Sequence, residues 1–228
     1  MDDDRALVED VRAALRAVAD PARAEPMRAY MRSAMPFLGV PTPERTAALR
    51  PVLSAHPLRD AAIWRGTLLA LWREATHREE RYAALVVARR YPRLLVAEPD
   101  ASLEMLDELV VTGAWWDLVD DTAIRLLGPL LLAHPDLVAP AMRRWARDAD
   151  RWRRRTAVIC QIGAKDRVDT ALLAEAIEAN VADPDFFLRK GIGWALRQHA
   201  RADPDWVRHF VASHALSPLS RREALKHL

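Results

Sequence analysis

A carboxylate and an indole stand one helical turn apart in the segment Ala114-Trp115-Trp116-Asp117-Leu118-Val119-Asp120, and this pairing carries the most distinctive chemistry in the chain. On a helix Trp116 and Asp120 share one face, while Trp115 and Val119 share a neighbouring one that reads as core. An acid beside an indole can hold a cation both by charge and by the ring quadrupole, the latter worth about 0.5–2 kcal/mol. The plainer reading is a tryptophan that caps the core beside an acid paired with arginine.

Two further segments carry chemistry. In Asp150-Arg151-Trp152-Arg153-Arg154-Arg155, Arg147, Arg151 and Arg155 fall at i, i+4 and i+8. Arginine forks suit phosphate oxygens, and a row of like charges is tolerated more readily when an anion bridges it. Acids on an adjacent helix would serve equally well. Downstream, Lys190, Trp194, Arg197 and Arg201 form one helical stripe that mixes an aromatic with cations, as nucleic-acid surfaces do. Gly191 and Gly193 interrupt this helix at roughly 1 kcal/mol each relative to alanine, which points to close approach of another helix or of a ligand, with packing the preferred reason.

Other chemistries lack their residues. There is no glycine-rich phosphate loop, no His-Glu-x-x-His and no Gly-x-Ser-x-Gly. The one cysteine, Cys160, has no partner for a disulfide or a thiolate zinc site, and the seven histidines are scattered. Neither a metal nor a cofactor is expected. Any catalysis must rest on carboxylate, indole and guanidinium groups.

The elements that position these groups are helices. With 7 glycines among 228 residues, many alanines and leucines and few β-branched runs, the chain reads as helical nearly throughout. Fifteen prolines punctuate it, each expected to end a helix or open one. Thr42-Pro43-Glu44, Asp183-Pro184-Asp185, Asp203-Pro204-Asp205 and Ser217-Pro218-Leu219-Ser220 read as capped starts. The pattern of helix, short turn and helix recurs near every forty residues, the period of stacked HEAT-like repeats. The expectation is an all-α HEAT-like solenoid with a concave basic groove, counted as a single domain over 1–228 with an N-terminal helix over 1–22. Charge agrees: residues 139–167 and 186–228 carry +6 and +5 while the whole chain carries +2, so the rest is net acidic. No run reaches the ~18 apolar residues of a membrane span, and Met-Asp-Asp-Asp-Arg opposes a secretory start. A cytoplasmic, nucleoid-associated protein is expected.

Taken in order, Tyr30-Met31-Arg32, Pro36-Phe37-Leu38-Gly39-Val40, Thr42-Pro43-Glu44-Arg45, Trp115-Trp116-Asp117 with Val119-Asp120, Trp152 with Arg155, Phe187 through Arg197, and Leu216 through Ser220 resemble the DNA alkylation repair glycosylases built from HEAT-like repeats, the AlkD family. The resemblance runs from about residue 25 to the C-terminus. It implies a monofunctional glycosylase that removes cationic N3- and N7-alkylated purines from duplex DNA while the lesion stays stacked. It also implies that Asp120 is the catalytic carboxylate, that Trp116 and Trp194 face the lesion, and that Arg155 binds the DNA backbone, with Tyr30 matching an N-terminal aromatic. Arg151, Lys190 and Arg197 join the expected DNA contacts. A monomer with no obligate protein partner is expected. Two other functions fit such a fold: a non-catalytic binder of branched or bent DNA, and a protein-interaction scaffold.

Overall fold

The computed structural model describes residues 2–228 and contains helices and turns, with no strand among the described residues. Its contacts divide the chain into two compact units, one ending at Glu98 and one beginning at Pro99.

The first unit holds α1 (Arg5–Ala17), α2 (Pro21–Met31), α3 (Thr42–Ala55), α4 (Ala61–Arg73), α5 (Arg78–Arg90) and α6 (Pro92–Ala97). The helix expected over 1–22 is shorter: α1 begins after Asp4, whose side chain accepts from the Leu7 N–H, and Asp20-Pro21 starts α2. In α1 the buried residues are Leu7, Val8, Val11 and Leu15, a helical stripe that packs on α3, α4 and α5. Each such leucine contributes about 1.5–3 kcal/mol on leaving water. Between α2 and α3, the Leu38, Gly39 and Val40 N–H groups donate to the buried Glu79 carboxylate at 2.9–3.0 Å. Gly39 sits at φ +81, and a Cβ there would lie 2.0 Å from the Asp20 carbonyl oxygen, so only glycine fits. This turn is why Pro36–Val40 reads as a motif.

The second unit holds α7 (Pro99–Gly113), α8 (Trp116–Thr122), a π-helical turn (Ala123–Leu127), α9 (Gly128–Ala133), α10 (Pro135–Trp145), α11 (Arg151–Ile159), α12 (Thr170–Glu178), α13 (Phe186–His199), α14 (Pro204–Ser213) and α15 (Pro218–Ala224). The π turn falls where Pro129 has no N–H to donate to Arg125, and the Gly128 N–H reaches back five residues to the Ala123 carbonyl. Helix α11 is central: it packs against α7, α8, α10, α12 and α13, and α13 packs in turn on α15.

Several expected starts hold. Asp203 and Ser217 cap α14 and α15 through the Trp206 and Ser220 N–H groups. Others differ. Asp185 caps α13, so Pro184 lies outside it, and Thr42 begins α3 with no side-chain cap. Pro26, Pro51 and Pro140 sit inside α2, α3 and α10, where the helices continue past the lost hydrogen bond.

Candidate active site

The α7–α8 corner places the central motif. Ala114 takes φ +40, Trp115 is extended, and α8 then begins at Trp116. This reversal leaves Trp116 at the first position of α8, 37% exposed, and brings Asp120 one turn later on the same helix. Trp115 is not on the helical face expected of it: it precedes α8 and is partly buried. It meets Trp152 of α11 and Phe187 of α13 with ring centroids 6.2 and 5.5 Å away, and Trp152 and Phe187 also touch at 5.2 Å. These three rings tie α8, α11 and α13 together beneath the site.

Above them, Arg155 of α11 holds Asp120 in a two-pronged pair, Nε to Oδ1 and Nη2 to Oδ2, each 2.7 Å. Its remaining terminal nitrogen, Nη1, donates to the Phe187 carbonyl at the start of α13. The Asp120 side chain keeps 14% of its exposure and that of Arg155 only 6%. Burial pushes the Asp120 carboxyl above its ordinary value, Arg155 pulls it back, and Asp117 and Asp121 push it upward again. The carboxylate sits at the rim of the core and is neither sealed within it nor free in water.

Arg155, expected at the DNA backbone, is buried here and bonded on both sides of its guanidinium, to Asp120 and to the Phe187 carbonyl. Arg151, Arg153 and Arg154 have the acidic neighbours that were the plainer alternative, whereas Arg147 lies exposed ahead of α11 and donates to the Arg143 carbonyl. Arg151 pairs with Asp185 at 3.3 Å, Arg153 with Asp107 at 2.7 Å and Arg154 with Asp183 at 3.1 Å. Of these, Arg151 is exposed, with its guanidinium 5.1 Å from the Trp152 ring centroid.

On α13, Trp194 is half-buried, three residues beyond Gly191 and seven beyond Phe187. Lys190 and Arg197 both reach Glu223 of α15, Lys190 at 2.9 Å. Their hydrogen bonds hold the Glu223 carboxyl down at about 2. A phosphate at this stripe must compete with Glu223, a residue that sequence reasoning passed over although it is the one acid in α15. The structure thus joins Asp120 to Arg155 directly and to α13 through Phe187, while Lys190 and Arg197 form a second cluster on α15. Tyr30 belongs to the first unit, at the end of α2, and is 81% exposed.

Among the described residues no group of three His, Cys, Asp or Glu gathers to hold a metal ion, and no helix is long and apolar enough to cross a membrane. A cavity of about 440 Å³ bordered by Val158, Leu173, Ala195 and His199 takes in Arg201 of the basic stripe and none of the other expected site residues.

A search of the curated proteins finds no match. A solved structure described as a predicted DNA alkylation repair enzyme from Enterococcus faecalis is similar at 29% identity and a TM-score of 0.83, over 92% of this chain and 96% of that one. The family model for DNA alkylation repair enzymes matches residues 11–228. The chain belongs to the DNA alkylation repair enzyme family.

Proposed function

We propose that the protein is a DNA glycosylase that hydrolyses the N-glycosidic bond of cationic N3- and N7-alkylated purines in duplex DNA and leaves an abasic site. An alkylated purine carries a positive charge and leaves without a general acid. The enzyme's work is then at the sugar, where C1′ becomes oxocarbenium-like as the bond breaks. A fixed carboxylate stabilises that charge and orients or deprotonates the attacking water. This is the task of Asp120. Trp116 and Trp194 offer ring faces to the cationic sugar and exclude water that would screen it.

The observation that carries this reading is the Asp120–Arg155 pair. A carboxylate has about four acceptor directions, and the fork of Arg155 takes two, which leaves two for a sugar or a water. Arg155 thereby favours the ionised form of the largely buried acid while fixing its orientation, so little reorganisation is needed at the moment of reaction. The arginine charge also offsets part of the carboxylate's field. Selectivity follows: the remaining stabilisation suffices for a base already primed to leave and not for a neutral purine. That the lesion stays stacked is supported by the family resemblance, and 2-aminopurine placed beside the lesion tests it by staying dim on binding.

The deciding experiment is release of 7-methylguanine or 3-methyladenine from a methylated duplex by the parent and by Asp120→Asn. Release by the parent that collapses in the variant supports the reading. An Asn variant as fast as the parent removes the mechanism. A parent that releases nothing yet binds junctions selectively makes the protein a binder of branched DNA, which the charge offset at Asp120 would then favour.

A further inference from the structure

We infer that Gly191 is a positioning residue of this site: by carrying no side chain one turn beyond Phe187, it leaves the space in which the Arg155 guanidinium lies and so determines where Asp120 is held. The inference rests on Asp120 being the working carboxylate, but the seat itself is a matter of geometry.

A Cβ built on Gly191 would lie 3.0 Å from Arg155 Nη1 and 3.8 Å from its Cζ, with Ile159 Cγ2 at 3.3 Å. The Phe187 carbonyl, four residues earlier on α13, accepts from the same Nη1. Gly191 and Phe187 thus form the floor and end-stop of one slot, and the other edge of the guanidinium lies on Asp120. What yields to an added group differs sharply from the neighbouring glycine. At Gly193 the nearest atoms are Glu223 Cβ at 2.5 Å and the Ser220 carbonyl oxygen at 2.8 Å, so a side chain there must move α15 itself. At Gly191 the nearest atom is the far end of a flexible side chain, and the guanidinium moves while the helices stay. Alanine also favours helix over glycine, so the exchange at 191 does not weaken α13.

The consequence for Asp120 can be read by titration. The charged groups acting on its carboxyl are Arg155 from α11 and Asp117 and Asp121 from α8 itself. Displacing Arg155 leaves burial and the two acids, all of which push the carboxyl upward.

The test uses the full chain and the variants Gly191→Ala, Gly191→Val, Arg155→Ala and the double variant Arg155→Ala/Gly191→Ala, read by Tm, by NMR titration of Asp120 and by single-turnover base release. Expected are a Tm for Gly191→Ala lowered by less than that of Arg155→Ala, an Asp120 titration moved upward in the order alanine then valine, and base release about ten-fold slower in the valine variant with DNA affinity unchanged. In the Arg155→Ala background, Gly191→Ala has no further effect on rate. An unmoved Asp120 titration, or a glycine effect that is additive with Arg155→Ala, overturns the inference and leaves only helix packing against Ile159. The titration needs no turnover: a shifted Asp120 in a protein that releases no base upholds the seat and sinks the glycosylase reading, whereas normal turnover with an unshifted Asp120 does the reverse.

Discussion

Asp120 and Glu223 are both carboxylates of the second unit held by cations from a neighbouring helix, and they are driven in opposite directions. Glu223 receives a lysine and an arginine and drops to about 2, whereas Asp120 receives one arginine, loses water, and rises above its ordinary value. Two cations on an acid make a strut. One cation on a largely buried acid leaves the carboxylate incompletely satisfied, the condition in which it can act on something else. On the proposed reading Asp120 is the working group of the pair, while Glu223 ties α15 to α13 through Lys190 and Arg197.

The strongest way to break this comparison is to remove the charge at Asp120. Asp120→Asn is expected to slow base release by about 10²–10³-fold, the usual range for a lost transition-state electrostatic contact, with DNA affinity largely kept. Glu223→Gln should leave the chemical step near the parent's rate. Equal losses in single-turnover assays would erase the distinction. Arg155→Ala comes next. It leaves Asp120 desolvated without its fork and empties a buried slot, a change expected to cost about 3–5 kcal/mol and read as a lowered urea midpoint.

The pH dependence sharpens the contrast because the signs differ. Glu223 has a folded value below its unfolded one, so its contribution to stability is complete above about 4.5 and is lost as pH falls toward 2. Asp120 has a folded value above its unfolded one, so its ionised form burdens the fold at higher pH and protonation relieves that burden. Activity that needs the carboxylate then fades on acidification at a pH above the ordinary aspartate range. Urea midpoints between pH 2 and 6 should show a steep loss in the parent and a flatter one in Glu223→Gln.

What could be read from the sequence follows the range of the forces involved. Local chemistry was legible: Asp203 and Ser217 announce their helices because a cap reaches only three residues. Val119 was legible as core, whereas Trp115 stands outside α8 on extended backbone and is only partly buried, so the helical face expected to join the two does not form. The internal prolines were not, since whether α3 survives Pro51 depends on packing along the whole helix and not on the proline's neighbours. The partners of the arginines lay further off. Asp120 and Arg155 are 35 positions apart, and Glu223 is 33 and 26 from the two cations it holds. A stripe on one helix shows which charges share a face but not what the next helix sets against them. Hence Lys190, Arg197 and Arg155 read as phosphate contacts from spacing and resemblance, while their carboxylate partners, Glu223 and Asp120, stayed out of sight. The glycines carried a usable signal, because two of them inside one helix require a close neighbour. The neighbour's identity did not follow from that.

The smallest expected effect concerns Arg151, an exposed member of the same row. Its pair with Asp185 is solvent-accessible and long at 3.3 Å, and its guanidinium lies over the Trp152 ring, so losing it should change stability by less than about 1 kcal/mol. Because it is not buried, it can turn from Asp185 to a phosphate at little cost. In Arg151→Ala, DNA affinity should fall modestly at low salt, and the slope of log affinity against log salt should shrink by about 0.9, one phosphate's share of counterion release. Base release at saturating protein should be unchanged. A reduced rate with an unchanged salt slope would instead make Arg151 part of the machinery around Asp120 and move the boundary between the two kinds of arginine.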